Sequence, residues 1–194
     1  MSNGAKEEIL RRIRSAAVEP VMPTSYVPPL PRPGSADKLA EMIGDYRARV
    51  RICDEAGLPA VLAEFLEGTR FLAAADGVPW EIPFEKAEDL DAPGVTVLTG
   101  CALAIAETGT IVLDTGAAQG NRAMTLIPDH HVCVVHEHQI VADVPDGIAA
   151  IADPTRPLTF ISGPSATSDI ELERVEGVHG PRKLDVVIVR TTKM

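Results

Sequence analysis

The chain has 194 residues, 45% of them hydrophobic and 24% charged, which suits one globular domain of ordinary size with an appended arm. A formal net charge of −10 and an aromatic content of 4% argue against gripping a nucleic-acid backbone or stacking its bases. Cys53, Cys101 and Cys133 form no Cys-x-x-Cys pair, so this chain alone builds neither a zinc site, nor an iron–sulfur site, nor a disulfide framework.

A reducing cytoplasm fits that cysteine usage. The start of the chain, with Lys6, Glu7, Glu8, Arg11, Arg12 and Arg14, is too charged for a secretory leader. No apolar run approaches the length needed to span a bilayer. The charge is uneven. Residues 1–52 hold nine Lys/Arg and six Asp/Glu, a net of +3, and residues 53–194 hold nine and 22, a net of −13.

Residues 4–17 pattern as a short amphipathic helix, with Ile9, Leu10 and Ile13 on one face and charges on the other. Pro20, Pro23, Pro28, Pro29, Pro31 and Pro33 then forbid helix and sheet interior and favour an extended polyproline strap. Residues 1–34 therefore form an arm that either grips a partner or crosses the surface of its own domain. Residues 35–194 form the α/β domain.

Helical periodicity covers Ser35–Tyr46, Leu58–Glu67 and Val144–Ile151. Strands are expected at Ala48–Cys53, Arg70–Ala74, Val95–Leu98, Thr110–Leu113, Val132–His136, Leu158–Ser162 and Leu184–Arg190. Near-continuous apolar strands separated by helices mean a sheet covered on both faces, hence an α/β class with mainly parallel pairing.

Two loops carry unusual chemistry. Gly163-Pro164-Ser165-Ala166-Thr167-Ser168-Asp169-Ile170-Glu171 is followed by Gly177-Val178-His179-Gly180-Pro181, and Ala106-Glu107-Thr108-Gly109-Thr110 lies upstream. Glycines allow a backbone to approach a ligand, and hydroxyls with free N–H groups suit an anion. Ser168 and Glu171 have capping-box spacing at a helix start, which explains those two residues without a ligand. It does not explain Gly163, Ser165, Thr167 and Asp169 together. Ligands of open α/β sheets bind beyond the carboxyl ends of strands, where both loops are expected. They would form two walls of one site.

Glu107, flanked by apolar residues, is expected to be partly desolvated and available for acid/base work, or else to shape its turn. His179, between glycines, is an acid/base candidate or pins its turn. Arg122 follows a glycine-rich run in the acidic part of the chain and suits a carboxylate, of a ligand or of the protein. His130-His131 and His136-Glu137-His138 flank a strand. Metal ligation there would need a third ligand that no spacing marks, so these histidines are polar strand ends and no metal is expected. Dinucleotide, phosphate-loop and nucleophile-elbow motifs are absent.

In this order, Ala106–Thr110, Leu126-Ile127-Pro128-Asp129-His130-His131, Gly163–Glu171 and Gly177–Pro181 resemble the lactate utilization protein C family, the stand-alone form of the LUD domain, over roughly residues 45–190. The resemblance implies a Rossmann-like fold related to the sugar-phosphate isomerase and coenzyme A transferase superfold. It also implies a role with iron–sulfur partner proteins in oxidising L-lactate to pyruvate. Any cluster would then sit in a partner, and the cofactor is left open. Glu107, Asp169 and His179 are the catalytic candidates. Thr108, Gly109, Arg122, Gly163, Ser165, Thr167 and Glu171 are the ligand-binding ones, for a small carboxylate or a cofactor. The alternatives are a non-catalytic assembly or regulatory subunit, and an isomerase or acyl-transfer enzyme on a phosphorylated or coenzyme A substrate, for which Lys183 is the nearby lysine.

Overall fold

The computed structural model describes residues 3–16, 30–80, 84–167, 175–177 and 180–191. Helix α1 (Asn3–Ala16) leads into the strap, of which Pro20, Pro23, Pro28 and Pro29 lie outside the described residues. Ile9 and Ile13 of α1 are about 60% exposed (59% and 61%), so its apolar face is uncovered. The end of the strap crosses its own domain. The Ala142 amide donates to the Arg32 carbonyl at 3.0 Å and the Gly34 amide to the Ile140 carbonyl at 2.8 Å. Arg32 also ion-pairs with Asp143 and with the buried Asp146.

Helix α2 (Ala36–Asp45) starts where Ser35 accepts the Lys38 amide, and it buries Leu39 and Ile43 at helical spacing. Strand β1 (Arg49–Asp54), helix α3 (Leu58–Phe65), strand β2 (Phe71–Ala74) and strand β3 (Val95–Thr99) follow. Two short strands come next, β4 (Leu103–Ile105) and β5 (Thr110–Leu113), then the long β6 (His130–His136) and the two-residue β7 (Ile140–Val141). Helix α4 (Val144–Ala150) is capped by Asp143, whose side chain accepts the Asp146 amide. The chain finishes with β8 (Thr159–Ile161), β9 (Ala166–Thr167), β10 (Val175–Glu176) and β11 (Lys183–Arg190).

Strands β1, β11, β6, β3 and β2 form, in that order, a five-stranded sheet, and every neighbouring pair is parallel. The middle strands β3, β6 and β11 are buried along nearly their whole length, which is why they spell continuous apolar runs. Alternate residues serve opposite faces. Val132, Val134, Val187 and Val189 pack with Leu58, Leu62 and Phe65 of α3. Cys133, Val135, Val186 and Ile188 face the other way, onto Leu39 and Ile43 of α2.

The α2 face has a second cover that the periodicity did not reveal. Strands β7, β4, β5 and β8 form a four-stranded mixed sheet. Its Ala104, Ala106, Ile111 and Leu113 join the same core as Cys133 and Val135. Strands β4 and β7 are three and two residues long, too short for an alternation pattern to register.

At the amino ends of the central strands lies a buried charge. Asp185 is fully buried and accepts Arg49 Nε at 2.7 Å and a second bond from Arg49 Nη2. His130 Nε2 reaches it at 2.8 Å and Lys183 Nζ at 3.4 Å. His130 Nδ1 continues to Thr96 Oγ1 at 2.9 Å, and Thr96 to Thr69 at 2.9 Å. The Arg49 guanidinium also sits 4.8 Å from the Phe65 ring centroid, tying the cluster to α3. Burial alone would push the Asp185 carboxyl up, but the bonds from Arg49 and His130 outweigh it and hold it down at about 2.

That depression has a stability consequence. The carboxylate's contribution is fully present above the unfolded value near pH 4 and is lost as pH falls through about 2. Asp185→Asn should destabilise the fold at pH 7 by about 3 kcal/mol, near the lower end for a broken buried pair because Arg49 and Lys183 can turn to water. The gap to wild type should close as pH drops from about 4 towards 2. Urea midpoints at pH 7 and pH 3 check this, and a pH-independent gap would refute it.

Candidate functional site

A cavity of about 320 Å³ opens between the second sheet and the amino-terminal ends of the parallel one. Its walls are β8 with the following loop, Thr159–Ala166, the segment around Arg122 and Thr125, and the turn Gly180–Pro181. His131 and Leu184, each the second residue of its strand, form the floor. The expected position beyond the carboxyl ends of parallel strands is therefore not the one observed. The loop at Gly163 follows β8, an edge strand of the small mixed sheet, and β8 lines the cavity with His131 and Leu184 at the opposite end. The carboxyl ends are occupied by the 114–120 loop, where the Gly100 amide donates to the Ala118 carbonyl at 2.6 Å. His136 also lies there, 3.2 Å from Glu55, its ring stacked between those of Trp80 and His138.

The Gly163 and Gly177 motifs meet through backbone bonds. The Ser165 amide donates to the Pro181 carbonyl at 2.9 Å and the Gly177 amide to the Ser165 carbonyl at 3.0 Å. Strand β9 pairs with β10 in the same ribbon. Gly163 has φ +84°, and a Cβ there would stand 2.5 Å from Tyr46 Cβ, so both conformation and space require glycine. Asp169, Glu171 and His179 lie outside the described residues, as does the Ser168–Glu171 cap. Thr167 is in β9.

The Glu107 hairpin joins the cavity by a relay of hydroxyls rather than by its carboxylate. Thr108 Oγ1 lies 2.7 Å from Thr110 Oγ1, which lies 2.8 Å from Ser162 Oγ, a cavity residue. Gly109 has φ +62°, and a Cβ there would meet the Ile43 amide nitrogen at 2.8 Å, so the turn sits directly on α2. Glu107 itself is exposed, and its amide donates to the Ala142 carbonyl at 3.1 Å. The apolar neighbours Ala104–Ala106 are buried in the sheet, while the turn carries Glu107 out to solvent. The desolvation expected from its sequence neighbours is absent.

Arg122 lines the cavity, is exposed and makes no ion pair with any described residue. Its position is set locally, because Thr125 Oγ1 donates to the Arg122 carbonyl at 3.2 Å and Asn121 Oδ1 accepts the Met124 amide. Lys183, in contrast, is engaged with Asp185. Among the described residues no three His, Cys, Asp or Glu side chains are grouped to hold a metal ion.

His131 is the cavity residue that sequence reasoning missed. It is 1% exposed, and its Nε2 lies 2.8 Å from Thr99 Oγ1. Burial, then the neighbouring His130, pushes its pKa down to about 3, so the ring is neutral. The adjacent histidines do opposite work: His130 holds Asp185, and His131 faces the cavity. The available signal was strand alternation, which sends two consecutive residues of a strand buried on both sides to different faces. A larger groove of about 740 Å³, lined by Leu62, Leu66, Trp80 and Phe84, is mostly apolar. Among the described residues its polar side chains are Glu67 and Thr69, which offer no cation to a small anion.

A model of the LUD domain matches residues 85–189. The chain is 45% identical to lactate utilization protein C of Deinococcus radiodurans over 95% of both chains. It is 32% identical to lactate utilization protein C 1 of Bacillus mycoides over 56% of this chain and 47% of that one. Among solved structures, a DUF162 family protein from Deinococcus radiodurans is similar with a TM-score of 0.66 and 37% identity, covering 79% of this chain and 94% of that one.

Gly163→Ala should cost more than about 1 kcal/mol, since it combines a left-handed backbone with a clash against Tyr46. A thermal melt should show the loss. An unchanged melting temperature would mean that the loop does not need the observed conformation.

Proposed function

The chain belongs to the LUD domain family, and from that premise we propose that it is a cytoplasmic component of a lactate-oxidising assembly that binds a small carboxylate in the cavity at Arg122. The observation that carries the ligand class is a guanidinium without an ion-pair partner among the described residues, beside hydroxyls and a neutral histidine in a cavity of about 320 Å³. A planar guanidinium matches a carboxylate with two parallel bonds. A volume at the small end of the usual range for ligand sites suits a short acid. In a body with net charge −13 over residues 53–194, a guanidinium in the cavity wall offsets the repulsion an anion would meet.

Oxidation of L-lactate to pyruvate removes two electrons and two protons. In this reading the hydroxyl proton goes to a base among Glu107, Asp169 and His179, and the C2 hydrogen leaves with the electron pair, as a hydride equivalent, to a two-electron cofactor of the assembly, which passes the electrons on to an iron–sulfur partner protein. The hydroxyl relay Thr108–Thr110–Ser162 supports a link between the Glu107 turn and the cavity. Thr108, Gly109, Arg122, Gly163, Ser165, Thr167 and Glu171 remain the proposed ligand-contacting positions. Replacing Glu107 with Gln and finding lactate-dependent activity intact would remove that residue from the mechanism.

A second reading, a non-catalytic assembly subunit, is favoured by the uncovered Ile9 and Ile13 of α1. Because Arg32–Gly34 is tied to β7, the informative truncation removes residues 1–16 only. Loss of complex formation with the body still folded would support this reading.

Arg122→Gln should weaken L-lactate binding by about 10-fold or more, the value of a charge-assisted bond. Calorimetric titration of the purified chain measures it, and an unchanged affinity would sink the carboxylate reading. The assembly is tested by pulling down the tagged chain and assaying for iron–sulfur protein and lactate-dependent dye reduction.

A further inference from the structure

His131 presents a defined chemical group to the cavity. Thr99 is fully buried, and its hydroxyl has no hydrogen-bond partner among the described residues besides His131 Nε2. A buried hydroxyl proton without an acceptor is costly. The arrangement that satisfies both groups has Thr99 donating to Nε2, which leaves the ring proton on Nδ1. Nδ1 makes no hydrogen bond to a described residue, yet no buried side-chain nitrogen or oxygen among them lacks a partner. Nδ1 is therefore the ring atom that reaches the open space of the cavity that His131 lines. The floor thus offers one neutral N–H donor, fixed in orientation from behind.

We infer that His131 is a specificity-determining residue, whose Nδ1–H donates to the 2-oxygen of a short 2-oxo or 2-hydroxy acid whose carboxylate is held by Arg122. The inference rests on the carboxylate reading of this cavity. A neutral donor adds little attraction for a carboxylate that already has a guanidinium. What it does is penalise a ligand that brings a methylene to the same place, because the donor then loses its water and gains no acceptor. Leu184 and Ile161 beside it supply an apolar surface for a short alkyl end. The site therefore separates pyruvate and L-lactate from propionate, which has the same carboxylate and chain length but no 2-oxygen.

The test is calorimetric titration of the full chain with pyruvate, L-lactate and propionate, in the wild type and in His131→Phe. The expected result is a preference of about 10-fold for the oxygenated acids over propionate in the wild type, corresponding to one hydrogen bond. In the variant that preference should disappear while propionate binds as before. Equal wild-type affinity for pyruvate and propionate would overturn the role of His131 and leave the carboxylate reading standing. Binding of none of the three would overturn both. If circular dichroism shows that His131→Phe does not fold, nitrogen-15 spectra of the wild-type ring decide. They should show the Nδ1–H tautomer, with that proton shifting on addition of pyruvate and not of propionate. An Nε2–H tautomer, or equal shifts with both acids, would refute the assignment.

Discussion

Much of this structure depends on one buried carboxylate. Asp185 sits fully buried near the start of the central strand β11, and its partners come from both neighbouring strands, Arg49 on β1 and His130 on β6. A buried charge tolerates little displacement, since losing a partner leaves it uncompensated in a poor dielectric. The register of the three strands is thereby tied to side-chain geometry as well as to ladder bonds. The cluster also orients the cavity. With His130 committed to Asp185, alternation along β6 turns His131 towards the opposite face, the face covered by the second sheet.

That second sheet converts a layered α/β core into a site. Its apolar side shares the core of Cys133, Val135 and Ile188, and its edge strand β8 runs out over the amino ends of β6 and β11. Two glycine turns hold it close to α2. Gly109 lies on the Ile43 backbone and Gly163 on Tyr46, both with positive φ. Neither turn would take a side chain there without moving the helix. The hydroxyl relay from Thr108 to Ser162 then spans the two loops. The cavity is thus a by-product of how tightly the small sheet is packed, with its polar lining supplied by residues whose backbones that packing fixes.

The electrostatics are economical. The acidic body engages many of its cations: Arg49 and Lys183 on Asp185, Arg32 on Asp143 and Asp146, and Arg156 beside Asp114. Arg122 makes no ion pair with a described residue and faces the cavity that holds His131. Deep in the same cavity the histidine is neutral, so charge recognition and neutral hydrogen bonding are separated between mouth and floor. That division suits a small molecule with a carboxylate at one end and an uncharged oxygen near it.

The sequence by itself determined the helices, the strands of the parallel sheet and the α/β class, because these are encoded locally. Ser35 caps α2, continuous apolar runs mark β3, β6 and β11, and Thr110–Leu113 is β5 to the residue. It also marked Gly109 and Gly163, since glycine with hydroxyls signals backbone that other residues cannot adopt. The order of its motifs pointed to the family. Tertiary structure alone decided the second sheet, the position of the cavity at the amino ends of the strands, the exposure of Glu107 and the separate tasks of His130 and His131. Each of these depends on which distant segment covers a residue. Thr99 is 32 positions from His131 and Asp185 is 55 from His130, and nothing in the local sequence of either histidine shows the partner that decides its role.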